Sequence, residues 1–125
     1  MIIQNSKTIK EIQQEFNEKF PFLKIEFYKE SHAKNEGSPD YIKWNSGNKI
    51  EAIRKVNNSG EFNIHQNQKI RTVETNFYSQ YGLNVQVFYK SGDLWLQTTA
   101  TDNWTLKQQN ERSESFTKFQ ENRSY

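Results

Sequence analysis

One spacing of apolar residues occurs twice along the chain. Ile9, Ile12, Phe16 and Phe20 recur as Ile70, Val73, Phe77 and Tyr81, at an offset of 61 residues. Steps of three and four residues place each set on one stripe of a helix. The same offset aligns Ile3 with Ile64, Ser6 with Asn67 and Pro21 with Gly82. Ser6 and Asn67 are suited to cap a helix start, and Pro and Gly each end a helix in their own way. The pattern predicts helices near 7–20 and 68–81. It also suggests that the chain holds an internal repeat.

Alternation follows each helix. Leu23, Ile25 and Phe27 interleave with Lys24, Glu26 and Tyr28; Leu83, Val85, Val87 and Tyr89 interleave with Asn84, Gln86 and Phe88. A period of two with β-branched and aromatic residues predicts strands near 22–29 and 83–90. Short strands near 2–5 and 61–66 would precede the helices. The order β-α-β, met twice, predicts an α+β fold of the ferredoxin-like sandwich type. The dipeptide Ser91-Gly92 then marks a hairpin into a strand near 93–99. A two-residue loop there sets Lys90 against Asp93, Phe88 against Trp95 and Val87 against Leu96, with Leu94 and Leu96 on the face of Val85 and Val87.

The remaining segments carry weaker patterns. Residues 30–48 read as a long polar loop, with Tyr41, Ile42 and Trp44 forming a short strand inside it. Ile50, Ile53 and Val56 suggest a short helix. Thr105 and Gln108 form a capping-box pair and predict a helix over about 105–112. Beyond it, Phe116 and Phe119 stand alone among polar residues. The reading is one domain over 1–112 and a polar, frayed tail over 113–125.

Composition narrows the function classes. Of 125 residues only 33% are apolar, yet nine Phe, six Tyr and three Trp supply large side chains for a thin core. The net charge of +2 gives no electrostatic footprint for nucleic acid or an anionic membrane. The absence of Cys removes disulfides, thiolate metal sites and a cysteine nucleophile. No stretch has the length of a membrane span, and the N-terminal residues lack the apolar run of a signal peptide. The expectation is a cytoplasmic protein with no membrane partner.

Candidate chemistry is sparse. Five Gly residues leave no Gly-rich phosphate loop. Glu30, His32, Glu36 and Asp40 cluster in the long loop with hard-cation ligand types, but without the fixed turn of a cation motif a solvated loop explains them better. His65 reads as a residue on a sheet surface. Asp102, within the hydroxyl- and amide-rich run 98–105, reads as a capping and turn residue. No cofactor is expected, and no catalytic or metal-binding residue is assigned.

The sheet face turned away from the helices is richer. It would carry Phe22, Lys24, Tyr28, Phe88, Lys90 and Trp95, aromatic rings between polar groups, which suits a partner surface. The competing reading is internal cover by the long loop or the C-terminal segment. The runs GLNVQVFYKSGDLWLQTTATDNWTLKQQN and KTIKEIQQEFNEKFPFLKIEFYK resemble a group of short, uncharacterised bacterial proteins. That resemblance implies a bacterial intracellular setting and brings no activity. The expected function is therefore a non-catalytic interaction domain that self-associates or binds a protein through the aromatic face. The alternatives are a single-stranded nucleic-acid binder using the same rings, and an enzyme with a site in the 30–48 loop and the 98–105 run.

Overall fold

The computed structural model describes residues 1–30, 43–56 and 62–123, with only the backbone described at 122 and 123. Helix α1 (Ile9–Lys19) is followed by strand β1 (Leu23–Tyr28) and the single-turn helix α2 (Ile50–Ile53). Helix α3 (Ile70–Tyr81) leads into strands β2 (Asn84–Ser91) and β3 (Leu94–Gln97), and helix α4 (Leu106–Arg123) follows. The three strands form one antiparallel sheet in the order β1-β2-β3. The fold is mixed α+β.

The apolar stripes become the core. Ile9, Ile12 and Phe16 of α1 and Ile70, Val73 and Phe77 of α3 are buried with Leu23, Ile25, Phe27, Val85 and Val87 of the sheet. Phe77 meets Phe27 and Phe62 edge-on, with ring centroids 5.2 and 4.8 Å away. Both helices begin two residues later than the sequence suggests. Thr8, not Ser6, caps α1 in a reciprocal pair with Glu11, because residues 5 and 6 are already spent in a tight turn. Lys69, not Asn67, precedes α3. Gly82 ends α3 at φ 65°, where a Cβ would lie 2.8 Å from that of Lys55. Conformation and crowding therefore both require glycine there.

Among the described residues the sheet holds three strands, where the ferredoxin-like reading of the sequence expects five. The segments before α1 and α3 contribute no named strand. They touch each other at one bridge, Ile2 to Asn63, while the strands that follow the helices are sheet neighbours. The Ile3 N–H donates to the Phe62 carbonyl and the Ile64 N–H to that of Met1. The helix starts are tied in pairs in the same reciprocal manner. Ile9 N–H donates to Asn48 and Ile50 N–H to Lys7; Ile70 N–H donates to Trp104 and Leu106 N–H to Gln68. Each loop thus satisfies amide groups that a helix start leaves without an intrahelical acceptor.

Two further expectations change. The hairpin turn is Gly92-Asp93, with Ser91 opposite Leu94, Lys90 opposite Trp95 and Phe88 opposite Gln97. Gly92 takes φ 62°, and placing the glycine first in the loop moves the pairing by two residues. A shift of two preserves the faces, so Leu94 and Leu96 stay on the side of Val85 and Val87. The second change is α4. The residues expected to fray are helical to Arg123. The helix buries Gln109, Ser113 and Thr117, a polar stripe without an apolar period to reveal it. Thr117 Oγ1 accepts the Gly92 N–H, and Gln109 Nε2 donates to Ser113 Oγ.

Candidate interaction surface

The sheet face away from α1 and α3 is half closed. Tyr28 is fully buried and Phe88 nearly so. Lys24, opposite Phe88 on β1, holds its ammonium 5.2 Å from the ring centres of both Phe88 and Trp95. Lys43 adds a second cation over Phe88 at 5.9 Å. Glu26 lies 3.8 Å from Lys24 and 3.9 Å from Lys43, so both charges are held near the rings. Phe22 is partly buried, and its N–H donates to Asn110 of α4. Lys90 and Trp95 are also partly exposed. Of the six residues the sequence selects, Lys24, Phe88 and Trp95 form one cluster, while Tyr28 lies inside the fold. Trp95 sits diagonal to Phe88 rather than opposite it, as the moved turn requires.

The two sheet edges are treated differently. Along β1, the carbonyls of Leu23 and Ile25 accept from the Asn17 and Gln13 side chains of α1, and that of Phe27 accepts from the Trp44 N–H. Along β3, the bond from Thr98 N–H to the Val87 carbonyl sets the alternation. Trp95, one residue out of phase with the bonded positions Leu94 and Leu96, turns its own N–H and C=O away from β2. Among the described residues no backbone group meets them. Side chains on this strand are exposed as well: Leu94 is 65% and Leu96 39% accessible.

Between the end of β2, the 101–104 turn and α4 lies a groove that sequence patterning does not reveal. At about 100° per residue, Phe116 and Phe119 lie on the flank of α4 opposite Asn110, which faces β1. That flank therefore looks away from β1. Tyr89, Ser91, Trp104, Arg112 and Phe116 line a shallow cavity of about 280 Å³. Phe116, Phe119 and Trp104 remain 45%, 54% and 38% exposed. The signal in the sequence was the two isolated Phe residues in a polar run; it gains meaning only once the run is helical.

A buried polar cluster closes the far end of β3. Glu74 of α3 accepts the Val87 N–H at 3.2 Å, where β3 has already turned away. Burial, then the charge of Asp102 and a hydrogen bond to it, push the Glu74 carboxyl up to about 8. Thr98 Oγ1 donates to the Val87 carbonyl and Thr101 Oγ1 to Gln109. Sequence reasoning saw Asp102 as a turn residue and found no carboxyl pair, because its partner lies on a distant helix. Both carboxyls are enclosed, with Glu74 8% and Asp102 3% exposed. Their neighbours are structural, and the arrangement holds strand end to helix.

The other sequence candidates lie elsewhere. His32, Glu36 and Asp40 fall outside the described residues, as do Tyr41 and Ile42 of the expected short strand. Glu30 and His65 are exposed, and no group of three metal-ligating side chains occurs among the described residues. No described helix is long and apolar enough to cross a membrane. Comparison with family models, curated proteins and solved structures finds no match.

Proposed function

We propose that this protein is a small, non-catalytic interaction domain whose contact surface is centred on β3. The observation that carries the reading is the contrast between the sheet edges. One is covered carbonyl by carbonyl, whereas the other is open at Trp95 among the described residues, with exposed apolar groups on both faces. Trp95, with Lys24 and Lys90 beside it, belongs to the aromatic face; Leu94 and Leu96 are exposed on the other face, and Phe116 lines the groove. An open strand edge next to an apolar groove suits an added strand, with main-chain bonds for affinity and side-chain pockets for selectivity. Among the described residues, natural edges' usual blunting by Lys or Pro is missing from Leu94–Gln97.

The nucleic-acid reading loses two of its four stacking rings, since Tyr28 and Phe88 are buried and Lys24 is already engaged over Phe88. The reciprocal bonds at Ile3 and Ile64, and the antiparallel register of β1 with β2, support a second proposal. We propose that the two halves are copies of one helix–strand unit, facing each other about a local two-fold axis.

Panning a random-peptide library on the full chain tests the function, with a Leu94→Lys, Phe116→Glu variant as counter-selection. Extended apolar peptides retained by the parent and lost by the variant are the expected result. Failure to enrich any such peptide, with both proteins folded by circular dichroism, overturns the reading.

A further inference from the structure

We infer that the strand received by β3 is the β3 of a second copy of this chain, giving a two-fold dimer with one continuous six-stranded sheet. The inference rests on the reading of β3 as the contact strand and adds the partner. An isologous pairing needs a surface that complements itself, and β3 does. With the axis at Trp95, the outward N–H and C=O of each Trp95 bond those of its copy. Leu94 then stands opposite Leu96 of the second copy, and Leu96 opposite Leu94, on one face of the joined sheet. No ionisable side chain occurs from Leu94 to Thr101, so the paired segments themselves set no like charges opposite each other. The two grooves fall on the same face of the joined sheet, where Phe116 and Phe119 extend the contact beyond the strands.

The area is of the right order. Leu94, Leu96, Trp104, Phe116 and Phe119 are exposed by between 38% and 65%, which makes a patch of a few hundred Å². A standard interface takes about 800 Å² from each partner. The strand edge and the rim around Lys90 and Arg112 supply the remainder. Tyr78, a further exposed ring at 58%, lies on α3 away from this surface and serves as a control.

Sedimentation velocity on the full chain, over a wide concentration range, tests the inference. The expected result is reversible doubling of the 14.9 kDa mass. Leu96→Lys should weaken the dimer by at least about tenfold, as should Leu94→Lys at the more exposed position. Tyr78→Lys should leave the dimer unchanged. Circular dichroism identifies any variant that has lost its fold, and Leu94→Lys keeps the test open if Leu96→Lys does so. A parent chain that stays at 14.9 kDa up to millimolar concentration overturns the inference. So does a dimer that both leucine variants leave intact. If the parent is monomeric yet still selects peptides at β3, only the second copy is refuted; if it does neither, the reading of the surface falls too.

Discussion

Glu74 shows how one buried carboxyl ties stability to pH. Its counterpart at the repeat offset is Gln13, which serves the edge of β1 with a neutral amide. Glu74 does the equivalent work at β2 with an ionisable group that burial and Asp102 hold protonated up to about 8. The unfolded chain releases that proton near the ordinary carboxylate value of 4.5. The folded state therefore binds more protons between these two values, and stability falls as pH rises through that window. The expected slope is at most about 1.4 kcal/mol per pH unit. Glu74→Gln keeps an acceptor for Val87 and offers a donor to Asp102. Denaturation at pH 5, 7 and 9 should show a falling midpoint for the parent and a nearly level one for the variant. Parallel curves would mean that Glu74 does not titrate in this window.

At the scale of elements, β3 and α4 depend on each other. The strand is four residues long and, among the described residues, has a partner strand on one side only. An isolated hairpin of that length has little stability of its own. Helix α4 steadies the turn through Thr117, whose hydroxyl accepts from Gly92 at 3.3 Å, while Asn110 on its other flank holds Phe22. Thr117→Val keeps the shape and leaves the Gly92 amide without its acceptor. The expected cost is about 1 kcal/mol, with faster hydrogen exchange at Gly92 and its neighbours in the turn. Unchanged exchange there would show that the helix does not steady the hairpin.

Across the whole molecule, a thin core is concentrated around a few rings. Phe77 joins α3 to β1 through Phe27 and to the segment before α3 through Phe62. Truncating it to Ala should cost about 3–5 kcal/mol, a large share of the stability of a small domain. Phe116→Ala removes a ring that is 45% exposed and should cost far less. Comparing the two variants in urea separates core from contact surface; equal losses would place Phe116 in the core and remove it from the groove. The reciprocal loop pairs add a second kind of connection. The start of α1 is satisfied by the loop before α2, and that of α3 by the loop before α4, so distant parts of the chain complete one another.

The amphipathic stripes of α1 and α3, the alternating strands, the hairpin and the capping box of Thr105 with Gln108 were legible in the sequence. Local periodicity and cap chemistry depend on neighbours a few residues away, and those neighbours are written in order. Strand order was not legible, because two strands with the same alternation satisfy their pattern beside any suitable partner. Nor was the length of α4, whose buried stripe of Gln109, Ser113 and Thr117 packs by hydrogen bonding rather than by apolar period. Alternation placed Lys24, Phe88 and Trp95 on one face, but burial of Tyr28 and exposure of Leu94 and Leu96 depend on which elements arrive beside them. The pairing of Glu74 with Asp102 belongs to the tertiary structure for the same reason. Periodicity states which side of an element avoids water, and only packing in three dimensions decides what covers that side and what remains open.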